Sequence, residues 1–388
     1  MKALVLAGGS GTRLRPLSHS LPKQLIPVAN RPVLAHVLGN IRELGVSEVG
    51  VVVGTRGPDF RAALGDGSRF GVRLTYLAQA APLGLAHTVR VARDFLGDDD
   101  FVMYLGDNML PDGIAGIAEE LTAGRRDRRP AALLVVQKVP DPRSFGVAEL
   151  GPGGRVLRLV EKPERPRSDL ALVGVYFFTA AIHEAVAAVR PSARGELEIT
   201  DAVQRLVDAG ADVRARQYHG YWKDTGSVTD LLDCNRHLLA RMPTEVRGTV
   251  DGASVLTGPV VVEPGARVVR SRLEGPVIVG ARTVVEDSHV GPHAALGRDC
   301  RVTGSGLANS IALDRASVTG VRDLCDSVLG RSATVEVTAG AAAGGRAGVS
   351  AGVSAGAAAG AGARRGPGRN ADRWRLVIGD DSRVEVSA

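Results

Sequence analysis

From Val250 onward, aliphatic residues recur every six positions. Val250, Leu256, Val262 and Val268 form one register; after a slip, Ile278, Val284, Val290, Leu296 and Val302 form another. Few folds admit that period. A strand alternates every two residues and a helix every 3.6, whereas six residues make one side of a left-handed parallel β-helix, whose coils turn three corners and stack. Gly280, Gly291 and Gly297 fall at turns between these positions. The reading assigns 241–335 to the β-helix and 336–372 to a flexible insertion. Thr338 to Ala363 is almost wholly Ala, Gly, Ser and Val, with no large apolar group to offset ordering entropy. Two strands around Gly379-Asp380-Asp381-Ser382 then occupy 373–388 and return to the β-helix.

Residues 1–240 follow a different rule. Apolar runs at Ala3–Ala7, Glu48–Gly54 and Phe101–Leu105 alternate with helical patterns at Val33–Leu44 and Ala86–Phe95. Alternating strands and helices predict an α/β, Rossmann-like, mostly parallel sheet with ligands at the carboxyl ends of its strands. That rule puts three turns on one rim: the glycine loop after the first strand, Gly106-Asp107-Asn108, and the turn near Gln79.

The glycine loop reads Leu6-Ala7-Gly8-Gly9-Ser10-Gly11-Thr12-Arg13-Leu14, with Pro22-Lys23-Gln24 behind it. Its glycines let main-chain N–H groups approach an anion, and a following helix start would add its dipole. Arg13 brings a bidentate guanidinium and Lys23 a point charge, both suited to phosphate oxygens. The loop lacks the Gly-Lys-Ser/Thr ending of a P-loop, and Leu14 stands where a dinucleotide fingerprint wants glycine or alanine. Asp107 and Asp224, the latter in Trp222-Lys223-Asp224-Thr225-Gly226, offer two carboxylates for a magnesium ion completed by phosphate and water. Glu161-Lys162-Pro163 pairs an acceptor for sugar hydroxyls with a cation. Gln79, five residues before Gly84, carries an amide able to read a base edge. At Gly146 and at Val173-Gly174, glycine in a strand admits a ligand near the backbone.

The assembled set, with Gly195-Glu-Leu-Glu-Ile-Thr-Asp201, resembles the sugar-1-phosphate nucleotidylyltransferase family, and within it the long-form glucose-1-phosphate thymidylyltransferases. The resemblance spans residues 1 to about 335. It implies transfer of a thymidylyl group from dTTP to glucose 1-phosphate, giving dTDP-glucose and pyrophosphate for deoxysugar biosynthesis, with Mg2+ as cofactor. It implies nucleotide binding by Leu6, Ala7, Gly8, Gly9, Gly11, Thr12, Arg13, Gln79, Gly84 and Asp107. Gly146, Glu161, Lys162 and Val173 would bind the sugar phosphate, Asp107 and Asp224 the metal; Arg13, Lys23 and Lys162 would be catalytic. Rival readings are a relative that uses UTP or another sugar phosphate such as mannose 1-phosphate, a bifunctional enzyme with an acyltransferase using His289 or His293, and a non-catalytic regulatory subunit.

Composition bounds the partners. The net charge of +6 owes a net four to the segment 364–375, so it marks no extended basic face for nucleic acid; aromatics, at 4%, are too scarce for a base-stacking surface. The run Arg125-Arg126-Asp127-Arg128-Arg129 reads as a solvated loop. Three widely spaced cysteines and the lack of a long apolar segment point to a cytoplasmic protein, off the membrane, and the β-helix to a homo-oligomer.

Overall fold

A computed structural model describes residues 1–9, 11–122, 130–338, 349–350, 362–365 and 374–387. The basic run 125–129 and the greater part of the Ala/Gly-rich stretch lie outside the described residues. The chain divides into two compact units: Met1–Gly9 with Val33–Asp224, and Ser10–Pro32 with Thr225–Ala388. The division therefore does not run at residue 240. Segment 10–32 and the helix Val228–Leu239 pack with the β-helix, for a reason visible in their side chains.

In the first unit nine strands form one sheet: β1 (Lys2–Leu6), β2 (Glu48–Val53), β3 (Arg73–Ala78), β4 (Phe101–Leu105), β5 (Ala132–Lys138), β6 (Gly146–Leu150), β7 (Val156–Glu161), β8 (Leu170–Phe178) and β9 (Val213–Gln217). The order is β7-β6-β8-β4-β1-β2-β3, with β5 bonded to β8 and β9. β3, β2, β1 and β4 run parallel, while β8 is antiparallel to β4. Being covered on both faces, β1 is apolar at every position from Ala3 to Leu6, all buried. Helix α1 (Val33–Glu43) buries Val33, Leu34, Val37, Leu38 and Ile41, the stripe its period sets. The expected helix at Ala86–Phe95 is instead Leu85–Val91 followed by Arg93–Leu96, because Ala92 leaves helical geometry.

The second unit holds a parallel β-helix. Successive coils stack in register seventeen residues apart, as in Val262 on Val279 and Val279 on Leu296, with one step of sixteen at Leu296 on Ala312. The six-residue expectation is thus corrected. Inward residues run Val262, Val268, Leu273, Val279, Val285, Val290, Leu296, Val302 and Leu307, in steps of six, five and six. The short step slips the register, so Ile278 and Val284 do not point inward; Val279 and Val285, both fully buried, do. Each five-residue corner carries a serine: Ser271, Ser288 and Ser305. The hydroxyls of Ser254, Ser271 and Ser288 accept the N–H of the serine one coil later at 3.0–3.1 Å, and that of Ser305 accepts the Val321 N–H. A serine oxygen thereby satisfies a backbone donor that the tight corner would otherwise bury unpaired.

Ile278 has another task. With Val261 and Ala295 it forms an outward apolar row that packs against Ala29 and Leu239. This row is why segment 10–32 and helix 228–239 belong with the β-helix. The tail does return: Trp374–Ile378 and Arg383–Ser387 each join a β-helix sheet, the second pairing with Thr334–Thr338. That strand runs three residues into the expected insertion.

The register is testable. Val285→Asp should abolish the cooperative melt of the β-helix, since it buries an unpaired carboxylate. Val284→Asp, on the outward side, should cost less than about 1 kcal/mol. Similar thermal melts for the two variants would refute the assignment.

Candidate functional site

The first unit gathers its part of the site by strand pairing. Leu6 lies between Val52 and Leu105 in parallel register, so the carboxyl ends of β1, β2 and β4 share one rim. The Ala7 N–H donates to the Val52 carbonyl at 2.8 Å and the Gly106 N–H to the Leu6 carbonyl at 2.9 Å. Gly8 is therefore near the turn after β3: a Cβ there would stand 3.5 Å from Gln79 Oε1. Gln79 is fixed at both ends, its N–H on the Val53 carbonyl and its side-chain nitrogen 3.0 Å from His87 Nδ1. Asp107 follows β4 directly. Its Oδ1 accepts from Asn108 Nδ2 at 3.1 Å.

Asp224 reaches the same turn by a short antiparallel pairing, Lys223–Asp224 against Asn108–Met109, which sets Asp224 opposite Asn108. Two contacts hold the pair. Trp222 Nε1 donates to Asn108 Oδ1 at 2.7 Å, and the Tyr221 N–H donates to Asp112 Oδ2 at 2.8 Å. Asn108 is nearly fully buried, and Trp222 packs on Phe145 with ring centroids 5.2 Å apart. Asp224 thus lies opposite Asn108, the residue that follows Asp107. No group of three or more metal-binding side chains occurs among the described residues.

Glu161 ends β7 opposite Gly146 of β6. Its carboxylate is held by Thr200 Oγ1 at 3.4 Å and Arg194 Nη1 at 3.3 Å, with Lys162 Nζ at 3.8 Å. Lys162 takes a left-handed backbone conformation, φ 42°, and donates its N–H to the Phe145 carbonyl. A cleft beside this cluster is lined by Glu161, Ser192, Glu198, Asp201 and Gln204. Burial pushes the Glu198 carboxyl up from its ordinary value, against the hydrogen bond it accepts from Ser192 at 2.9 Å. Burial raises Asp201 as well.

At three glycines packing leaves no room for a side chain. At Gly84, φ +100°, a Cβ would lie 2.5 Å from the Leu197 carbonyl; at Gly174, φ +79°, it would meet Leu105 at 2.7 Å. One at Gly146 would strike Leu172 and Thr200 below 3 Å. Val173, beside Gly174, is wholly buried and lies in the register shift between β8 and β5.

The second unit carries Gly11, Thr12, Arg13 and Lys23. No long helix follows the glycine loop. Thr12–Leu14 is one turn of 3-10 helix, then Arg15 turns extended because Pro16 bars the helical region to the residue before it. The expected helix dipole is therefore absent, which leaves backbone N–H groups and two cationic side chains. Gly11 is left-handed, φ +61°; a Cβ there would crowd Lys23 Cβ at 3.2 Å, and the Gly11 carbonyl accepts from Ser18 Oγ at 2.7 Å. Of the two histidines, His289 is exposed and 3.5 Å from Glu274, and His293 occupies a left-handed corner.

Residues 2–241 match the family model described as nucleotidyl transferase. The chain belongs to that family. This nucleotidyl transferase is 51% identical over 388 residues, the whole of both chains, to a glucose-1-phosphate thymidylyltransferase of Streptomyces griseus. It is 53% identical over 335 residues, 86% of this chain and 93% of the other, to one of Streptomyces antibioticus. A crystal structure from Bacillus anthracis, assigned as a glucose-1-phosphate thymidylyltransferase in complex with sucrose, is 33% identical with a TM-score of 0.56, covering 61% of this chain and 94% of its own.

Sequence reasoning missed Arg194, Thr200, Asn108 and Trp222 as site residues. Arg194 had a signal: it directly precedes Gly195-Glu-Leu-Glu, and the guanidinium reaches Glu161, Glu196 and Glu198 at once. Arg194→Ala should raise the KM for sugar phosphate at least fivefold, because three carboxylates then repel one another and the anionic substrate. Unchanged KM in a folded variant would remove Arg194 from the site.

Proposed function

We propose that this nucleotidyl transferase is a glucose-1-phosphate thymidylyltransferase, joining dTTP to glucose 1-phosphate with release of pyrophosphate. The observation that carries the reading is the rim itself: Gly8, Gln79 and Asp107 follow the ends of β1, β3 and β4, strands held in parallel register by the pairing of Leu6 with Val52 and Leu105 and of Val53 with Ala78. The full-length similarity to the Streptomyces enzymes supports the substrate pair.

An oxygen of the sugar phosphate attacks the α-phosphorus in line, and the bond to the β-phosphate oxygen breaks as pyrophosphate leaves. That oxygen is already ionised, so no general base is needed. Both reactants are anions, and the residues' work is positioning and charge neutralisation. We assign Arg13 and Lys23, with the N–H groups around Gly8, Gly9 and Gly11, to the triphosphate. Lys162 takes the sugar phosphate, and Glu161, oriented by Thr200 and Arg194, the sugar hydroxyls. Gln79, its amide oriented by His87, reads the base edge with the backbone at Gly84. Asp107 and Asp224 would hold Mg2+, for which two carboxylates completed by phosphate and water are a common donor set. When bound, the ion would neutralise charge between the phosphates. Every residue so assigned lies before Thr225, and the β-helix that follows serves assembly into a homo-oligomer. Three buried free thiols suit the reducing cytoplasm.

Asp107→Asn and Asp224→Asn should each shift the magnesium titration of activity to higher concentration by about tenfold. A curve superimposable on wild type would remove that residue from the metal site.

Base choice provides the test of the function. Thymine and uracil share the edge that Gln79 could read, so discrimination rests on the 5-methyl group and the absent 2′-hydroxyl. A methyl in an apolar pocket gives roughly 10- to 200-fold. We expect dTTP to exceed UTP by that margin in a panel of five nucleoside triphosphates against glucose, glucosamine and mannose 1-phosphates, read by pyrophosphate release. Preference for a purine triphosphate would overturn the reading.

A further inference from the structure

Arg13 and Lys23 belong to a segment fastened to the β-helix. The chain at its far end makes a two-residue hairpin, Pro27–Val28 paired with Arg31–Pro32, whose turn residues Ala29 and Asn30 are both left-handed, φ 46° and 59°. A type I′ turn has that geometry and favours asparagine and glycine; Ala29, with its Cβ, is strained there. Strain of this kind persists only where the surroundings over-determine it. Here they do. The Ala29 N–H donates to Asn235 Oδ1 at 2.9 Å, and Asn235 Nδ2 donates to the His293 carbonyl at 2.9 Å. Asn30 Nδ2 donates to the Leu296 carbonyl at 2.6 Å. Asn235 is fully buried, and the Ala29 methyl sits among Leu239, Val261, Ile278 and Ala295. Nearer the cations, a Cβ on Gly379 of the closing coil would lie 3.4 Å from Pro16 Cβ.

We propose that Asn235 and Asn30 are positioning residues for catalysis: they fix hairpin 27–32 to the β-helix and through it aim Lys23 and Arg13. The proposal rests on the assignment of those two cations to the triphosphate. Lys23 precedes the hairpin by four residues, and its own turn, Lys23–Leu25, is a single 3-10 turn that cannot hold direction alone. A preorganised cation loses effect steeply with misplacement; about 1 Å can cost on the order of a hundredfold in rate. The β-helix would then act on the chemical step itself and not only on assembly.

The experiment compares Asn30→Gly, Asn235→Ala and Lys23→Ala in the full-length protein, with kcat and both KM values measured well below the melting temperature. Asn30→Gly suits the left-handed φ and removes only the tether, so it should melt near wild type. We expect kcat to fall at least tenfold in each asparagine variant, with KM for glucose 1-phosphate within twofold of wild type. Lys23→Ala should lose at least a hundredfold, and adding Asn30→Gly to it should cost less than Asn30→Gly costs alone. Wild-type kcat in the folded asparagine variants, beside an impaired Lys23→Ala, would overturn the positioning role and spare the assignment of Lys23. Normal turnover in Lys23→Ala would overturn both. Fully additive losses in the double variant would show that Asn30 does not act through Lys23, and would overturn the proposal too.

Discussion

The parallel pairing of β1 with β2 on one side and β4 on the other is the constraint on which the first unit depends. Parallel strands end together, and β3 continues the ladder beyond β2, so the chain emerges on one edge of the sheet after Leu6, Ala78 and Leu105. Each exit then acquires a different group: backbone N–H near Gly8, an amide at Gln79, a carboxylate at Asp107. None of these groups needs a neighbour in sequence, since the ladder brings them together. Asp224, more than a hundred residues beyond Asp107, arrives by the same device in miniature, a two-residue antiparallel pair locked by the Trp222 indole on Asn108.

Cationic residues follow a different logic. The chain leaves the first unit after Gly9 and re-enters it at Val33, and in between it belongs to the unit of the β-helix. An α/β sheet offers carboxyl-end turns but few fixed cations, whereas a β-helix offers a rigid row of carbonyls and an apolar outer face. Segment 10–32 uses both, through Asn30 on Leu296 and Ala29 on the row of Val261, Ile278 and Ala295. Such a row would otherwise be an exposed apolar stripe, so covering it and anchoring the segment are one act of packing.

How much of this was legible in the sequence depended on the range of each interaction. Local patterns read well: β1, β2 and β4, helix α1 and the stacked coils all follow from apolar period. The coil length is misleading in the sequence because β-branched aliphatic residues also take outward positions, as at Ile278 and Val284 beside the inward Val279 and Val285. A better signal lay in the serines. Ser254, Ser271, Ser288 and Ser305 recur every seventeen residues and mark the short corner directly. Pro16 is the local signal against a helix after the glycine loop, since the residue before a proline avoids the helical region. The pairings of Asn108 with Trp222 and of Asn235 with Ala29 were not legible at all, because the partners lie more than a hundred residues apart and polar pairing has no period.

Glycines show the same limit from another side. In the sequence, Gly8, Gly84, Gly146 and Gly174 all look like places where a ligand needs the backbone bare. Building a Cβ at each separates them. At Gly84, Gly146 and Gly174 the space is taken by protein, namely Leu197, Thr200 with Leu172, and Leu105. At Gly8 the nearest atom is the Gln79 side chain at an ordinary 3.5 Å. Packing therefore leaves Gly8 free to be alanine, with no positive φ to forbid it. The first three glycines shape the site by letting strands and turns close; the bare backbone at Gly8 has no such demand on it. The protein's own packing thus leaves the main chain at Gly8 uncovered, whereas at the other three it is closed over by neighbouring strands and turns.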